Sequence, residues 1–156
     1  MEQNSGIVAH QPPVSSAFEF TYQIQLTKLS DCPPPLQSGE KNGFRFASAD
    51  KLSDLNFLPV ALITPARLPK LNNVACCSAY GLSMFDTRAN LTKKAQLLLK
   101  SHPNIFKLLG DHFIEVALAS KDGRHTEKNQ SGHFDFHSYT NFHPTNCVLN
   151  HGKILP

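Results

Sequence analysis

The stretch His133-Phe134-Asp135-Phe136-His137 decides how this chain is read. Successive side chains of a strand point to opposite faces. A strand here therefore sends both phenylalanines to one side and gathers His133, Asp135 and His137 on the other. Burying each ring stabilises a core by about 1.5–3 kcal/mol. The opposite face then presents two imidazoles and a carboxylate. Such a His-rich strand can act in general acid/base chemistry, because imidazole titrates near neutrality and a carboxylate can set its tautomer. On this reading His133, Asp135 and His137 are the catalytic candidates. The same groups suit a divalent metal, with His133, His137 and His143 as candidate ligands and Cys147 as an alternative to the last. Alternate residues of a strand stand about 6.6–7 Å apart, so these cannot all reach one ion without a bulge or outside help. The plainer alternative is a half-buried strand with its polar face in water.

Residues 112–118 alternate in the same way, with Ile114, Val116 and Leu118 against Phe113, Glu115 and Ala117, and predict another strand. Residues 18–26 show the longest alternation, with Phe18, Phe20, Tyr22, Ile24 and Leu26 on one side, and predict a strand ended by Pro33-Pro34-Pro35. A short strand is expected over 43–47 and another over 147–149. Ser48 is expected to cap a short helix through Leu55. The prolines at 59, 65 and 69 argue for a packed irregular stretch with short extended pieces over 56–70. Residues 74–85 read as mostly extended, interrupted by Gly81. The main helix is expected from Arg88 to about Lys100, capped by Asp86 or Thr87, with Leu91, Ala95, Leu98 and Leu99 on one arc. A second short helix follows over 104–109, closed by Gly110. Residues 121–132 read as a polar loop.

Strands on both sides of one helical block predict a single α+β domain over 17–156. Its sheet is expected to be mainly antiparallel or mixed, with one main central helix and a short second helix. Residues 1–16, polar and holding Pro12-Pro13, are expected to form a flexible N-terminal arm.

Leu, Ile, Val and Phe fill 42 of the 156 positions, enough for a core and too many for a disordered chain. The longest strongly apolar run, Val60 to Ile63, is far short of the roughly 18–20 residues that cross a bilayer. No basic and then apolar stretch opens the chain, so neither a membrane span nor a secretory leader is expected. The net charge of +3 is uneven: residues 1–40 carry −3, residues 41–110 carry +7 and residues 111–156 carry −1. A basic middle can attract phosphate or an acidic partner. No zinc finger, RNP-type aromatic motif or basic run of five accompanies it, so nucleic acid is not an expected partner. The four cysteines, Cys32, Cys76, Cys77 and Cys147, hold no CxxC spacing. Reduced, buried thiols in a cytoplasmic protein are the expectation.

Two further residues are candidates for ligand binding. Arg45, between Phe44 and Phe46, can grip phosphate or carboxylate with its planar fork. Ser83 lies in Tyr80-Gly81-Leu82-Ser83-Met84-Phe85-Asp86-Thr87, a strand feeding a helix N-terminus, where free N–H groups favour an anion. No P-loop, G-x-G-x-x-G or G-x-S-x-G elbow is present.

In order, Phe44-Arg45-Phe46, Phe57-Leu58-Pro59, Gly81 to Thr87, the strand ending at Leu118 and Gly132-His133 resemble small uncharacterised bacterial domains. An Arg on an early strand and a central Gly-x-Ser strand before a helix also resemble, distantly, the ADP-ribosyltransferase superfamily. That resemblance implies that Arg45 and Ser83 contact NAD, with Glu115 or Asp135 as the acid. The superfamily's Ser-Thr-Ser and late Glu-x-Glu signatures are absent from the chain.

The leading expectation is a cytoplasmic binding or interaction domain, a module of a larger bacterial system that meets a protein partner or self-associates. A binder of, or enzyme on, NAD or another nucleotide is the first alternative. A divalent-metal site is the second.

Overall fold

In the computed structural model, which describes residues 19–156, six strands form one sheet. In chain order these are β1 (Lys41–Ala47), β2 (Leu82–Phe85), β3 (His112–Leu118), β4 (Gly123–His125), β5 (His133–Ser138) and β6 (Val148–Lys153). The spatial order is β4-β5-β2-β1-β3-β6, and every neighbouring pair is antiparallel. The α-helices are α1 (Gln23–Thr27), α2 (Val60–Ile63), α3 (Asn73–Ala79), α4 (Arg88–Ser101) and α5 (Ile105–Leu109). The chain is thus a single α+β domain with an antiparallel sheet. The expected arm over 1–16 lies outside the described residues.

Period-two alternation in β5 does what its sequence predicts. Phe134 and Phe136 are each 1% exposed and join Leu82, Met84, Val116 and Leu118 in a core on one face of the sheet. Phe57 and Phe142 pack onto that cluster from the loops. The other face buries Phe85 and Phe113 against Leu91 and Ala95 of α4. Helical spacing places Leu91 and Ala95 on one stripe, and Leu97, off it, is exposed. Thr87 caps α4 by accepting the Asn90 N–H, and Gly110 closes α5.

Several expectations fail for identifiable reasons. Of the strand expected over 18–26, Phe18 lies outside the described residues, and residues 19–26 are not a strand. The chain makes one bridge, Phe20 to Tyr139, then turns into α1, with Leu26 buried and Ile24 67% exposed. Tertiary partners outweigh the alternation: Phe20 packs on Tyr139 and Tyr22 on Tyr80. Residues 74–85 are not mostly extended either. Asn72 accepts the Ala75 N–H and starts α3, so only Leu82–Phe85 forms strand. Ser48 caps no helix. Its N–H goes to the Asn56 side chain, a residue only 3% exposed, and a 3₁₀ turn follows at Asp54–Phe57. The stretch 56–70 is irregular as expected, but its pieces are helical turns, not extended ones. The loop 121–132 contains β4, and the last strand runs beyond 147–149 to Lys153.

The cysteine expectation is also corrected. Cys32 and Cys77 form a disulfide, while Cys76 and Cys147 are free and half-buried. The bond ties the proline-rich loop to α3, beside a second tie in which the Asn73 amide bonds both the N–H and the carbonyl of Ser30. A thiol on helix α3 that faces this loop is placed by tertiary contacts, not by local spacing.

One turn fixes where β5 begins. Gly132 has φ +77°, and a Cβ there would lie 2.1 Å from a carboxylate oxygen of Asp86, whose own N–H donates to the Gly132 carbonyl. Gly132→Ala is therefore expected to destabilise the fold by about 1–3 kcal/mol, through both the left-handed backbone and the collision. Chemical denaturation of the two proteins measures this, and a loss below about 0.5 kcal/mol would contradict it.

Candidate functional site

Strand β1 pairs with β3 through seven consecutive residues, from Lys41 opposite Leu118 to Ala47 opposite His112. With β2 it pairs at one position only, Phe44 opposite Phe85. Beyond that pair the two central strands part, and Arg45 occupies the split. Its Nη1 donates to the Ser83 carbonyl at 3.0 Å and its Nη2 to the Leu58 carbonyl at 3.3 Å. The guanidinium thus supplies to β2 a hydrogen bond that a neighbouring strand would otherwise make. Its Nε has no partner, and the residue is only 9% exposed.

On the other edge, β2 is fully paired with β5, Ser83 opposite Asp135 and Phe85 opposite His133. Alternation brings the odd-numbered side chains of both strands to one face. There the Ser83 Oγ lies 2.7 Å from His133 Nε2, and the Asp135 Oδ1 lies 3.7 Å from the same nitrogen. Asp135 is held in turn: Ser78 Oγ donates to its Oδ2 at 2.7 Å, and its own N–H donates to Thr126 Oγ1 at 2.9 Å. His133 is further fixed by its N–H bond to the Asn129 side chain and by an edge contact with the Phe85 ring. Both Ser83 and Asp135 approach Nε2, so Asp135 does not orient the far ring nitrogen as in a Ser-His-Asp relay.

Arg45, Ser83, His133 and Asp135 all line one cavity of ≈ 920 Å³, together with Ser78 of α3. This lies within the range of small-molecule sites, about 300–1,000 Å³. Much of the remaining wall is apolar, including Val60, Ile63, Leu71, Leu98 and Phe106. Burial pushes the Arg45 guanidinium down to about 10, which still leaves it a cation at neutral pH. Burial also lowers His133; the Asp135 carboxylate opposes this and the Lys94 ammonium adds to it. The imidazole is thereby biased toward its neutral, proton-accepting form.

The other candidates fall elsewhere. His137 shares the strand face but is 3% exposed and lies behind Gly81, where an added Cβ would meet its ring at 3.2 Å. Its Nε2 has no hydrogen-bond partner. His143 is exposed, just before the turn Pro144–Asn146. Among the described residues no three His, Cys, Asp or Glu side chains are grouped to hold a metal ion. Glu115 does not line the cavity; it accepts from Asn42 and Asn150. The α4 N-terminus is occupied by its own cap, Thr87, and by Asp86 bonded to Asn90, so the anion-attracting group near Ser83 is Arg45. Ser78, Asn129 and Lys94 were not foreseen. Asn72-Asn73 ahead of Val74-Ala75 was the cap signal that could have revealed α3, and with it Ser78.

Burial lowers His137 as it lowers His133, again with Asp135 opposing. The unfolded chain then binds more protons than the folded one below the ordinary imidazole value of 6.5. Stability is therefore expected to be full above about pH 6.5 and to fall in more acidic solution, as the imidazoles of the unfolded chain take up protons that the two buried rings resist, levelling off once those rings are charged as well. Asp86 is also shifted: burial raises it, but hydrogen bonds from Lys128 and Asn90 and the Lys128 charge outweigh this and hold it low, so its effect comes in more acidic solution. Melting temperatures between pH 7 and 5 read the imidazole limb, which His137→Gln should flatten. An unchanged slope in that variant would contradict the assignment. Set beside protein-family models, curated proteins and solved structures, the chain matches none of them.

Proposed function

We propose that this protein is a small-molecule-binding domain whose cavity takes a ligand bearing a phosphate or carboxylate, with nucleotides, NAD among them, as the leading class. One observation carries the reading. Arg45 is a buried cation on the wall of a ligand-sized cavity, and among the described residues it forms no ion pair, donating only to two neutral carbonyls. Taking a charge out of water costs several kcal/mol, and an uncompensated buried guanidinium marks a place where a ligand anion is favoured. Ser83 and Ser78 add hydroxyl groups close by, and the apolar wall suits a flat or aliphatic ligand body. Asp135, rather than Glu115, is the carboxylate positioned for acid chemistry on such a ligand.

A second reading, the interaction module, rests on a different observation. Strand β6 is an edge of the sheet, paired only with β3, and Leu149 on it is 52% exposed. Unpaired edges are templates for another chain. The setting follows from neither reading. No described helix is long and apolar enough to cross a membrane. The Cys32–Cys77 disulfide favours an oxidising compartment over the cytoplasmic one expected from the sequence.

A thermal-shift and calorimetry panel of NAD, ADP and adenosine separates the readings. ADP or NAD at a hundredfold excess over Kd is expected to add about 2.7 kcal/mol, a rise of several degrees. Adenosine, lacking phosphate, is expected to bind much more weakly. Equal binding of adenosine and ADP would remove Arg45 from the account. A flat panel with concentration-dependent dimerisation would favour the interaction module.

A further inference from the structure

The pair formed by Ser83 and His133 does more than bind. We infer that Ser83 is a nucleophile and His133 its general base, acting on esters of apolar carboxylic acids whose acyl part lies along the wall of Val60, Ile63, Leu71 and Leu98. The inference uses the cavity of the preceding section as a ligand site but does not need an anion at Arg45.

The geometry is that of an activated hydroxyl. Oγ and Nε2 are 2.7 Å apart, within the span for proton transfer, and both residues line the cavity. Antiparallel pairing of β2 with β5 sets the two backbones in register, so the contact rests on rigid strands rather than on a loop. The base is also supported. Asp135 Oδ1, 3.7 Å from Nε2, stabilises the imidazolium formed when the proton arrives, while Ser78 holds that carboxyl group and Thr126 accepts from the Asp135 backbone N–H. Burial keeps the resting ring neutral, as a base must be.

In the acylation step, Ser83 Oγ forms a bond to the ester carbonyl carbon as its proton passes to His133 Nε2. The bond from that carbon to the alcohol oxygen then breaks, and the alcohol leaves with the proton from Nε2. Water attacks the acyl-serine next, giving a proton to Nε2, and Ser83 Oγ recovers it as the carboxylic acid departs. Water is the only co-reactant, and nothing is oxidised or reduced.

The test uses the full chain and an uncharged alkyl fluorophosphonate, which loses fluoride to an activated serine. Intact mass and peptide mapping should find one adduct per chain, on Ser83, and none in Ser83→Ala. His133→Gln should slow labelling by about 10²-fold or more. Melting curves of both variants check folding. Should His133→Gln fail to fold, the wild-type labelling rate against pH replaces it, and is expected to rise through one titration below 6.5. The same full chain should release nitrophenolate from p-nitrophenyl butyrate, and Ser83→Ala should lose that activity. Absence of a Ser83 adduct in folded protein, labelling as fast in folded His133→Gln as in wild type, or a rate flat through that pH range would each overturn the inference. ADP binding without labelling would overturn the nucleophile alone and leave the anion site standing. Labelling without ADP binding would support the nucleophile and overturn the anion site.

Discussion

Two central strands that meet at a single residue pair set the terms for the rest of this molecule. Once β1 and β2 part beyond Phe44 and Phe85, a buried edge of β2 is left without its neighbour. Backbone carbonyls in such a place cost free energy unless a donor reaches them. The Arg45 side chain does so, bonding the Ser83 carbonyl from β1 and the Leu58 carbonyl from the connection. The split thus creates a cavity and a buried cation at once. The proposed anion site follows from that coincidence.

The other wall depends on β5, where one alternation serves two purposes. Phe134 and Phe136 anchor the strand in a core, and this burial holds His133 and Asp135 at fixed positions opposite β2. A shift of register by one residue would exchange the rings with the imidazoles and lose both core and site. The turn at Gly132 and the Asp86–Lys128 ion pair, 2.9 Å long, guard against such a slip by locking the entrance to β5.

What could be read from the sequence was whatever local pattern governs. Strands β3 and β5 and helix α4 were legible because each has a period that matches its burial, β1 was legible although its buried positions are Gly43, Arg45 and Ala47 and not its phenylalanines, and Thr87 and Gly110 mark helix ends by backbone chemistry. The α+β class followed from their order. The alternation over 19–26 misled because it serves three separate contacts, made by Phe20, Tyr22 and Leu26, and not one sheet face. Helix α3 was missed because Cys76, Cys77 and Ser78 have no strong propensity, leaving the Asn72 cap as its one sign. Arg45, Ser83, His133 and Asp135 were each singled out from their own strands, yet nothing local said that they share one cavity. That required the order β5-β2-β1, which only long-range pairing determines. The same holds for the Cys32–Cys77 bond and for Ser78 beneath Asp135.

The Arg45 side chain can be watched directly by nitrogen-15 NMR of its guanidinium N–H groups during titration with ADP. A buried, protonated guanidinium in the strand split should give a slowly exchanging Nε–H signal in the free protein. That signal should shift in step with occupancy as the phosphate enters. An Arg45 signal that exchanges as fast as those of exposed arginines, or that stays fixed while ADP saturates the protein, would contradict the account.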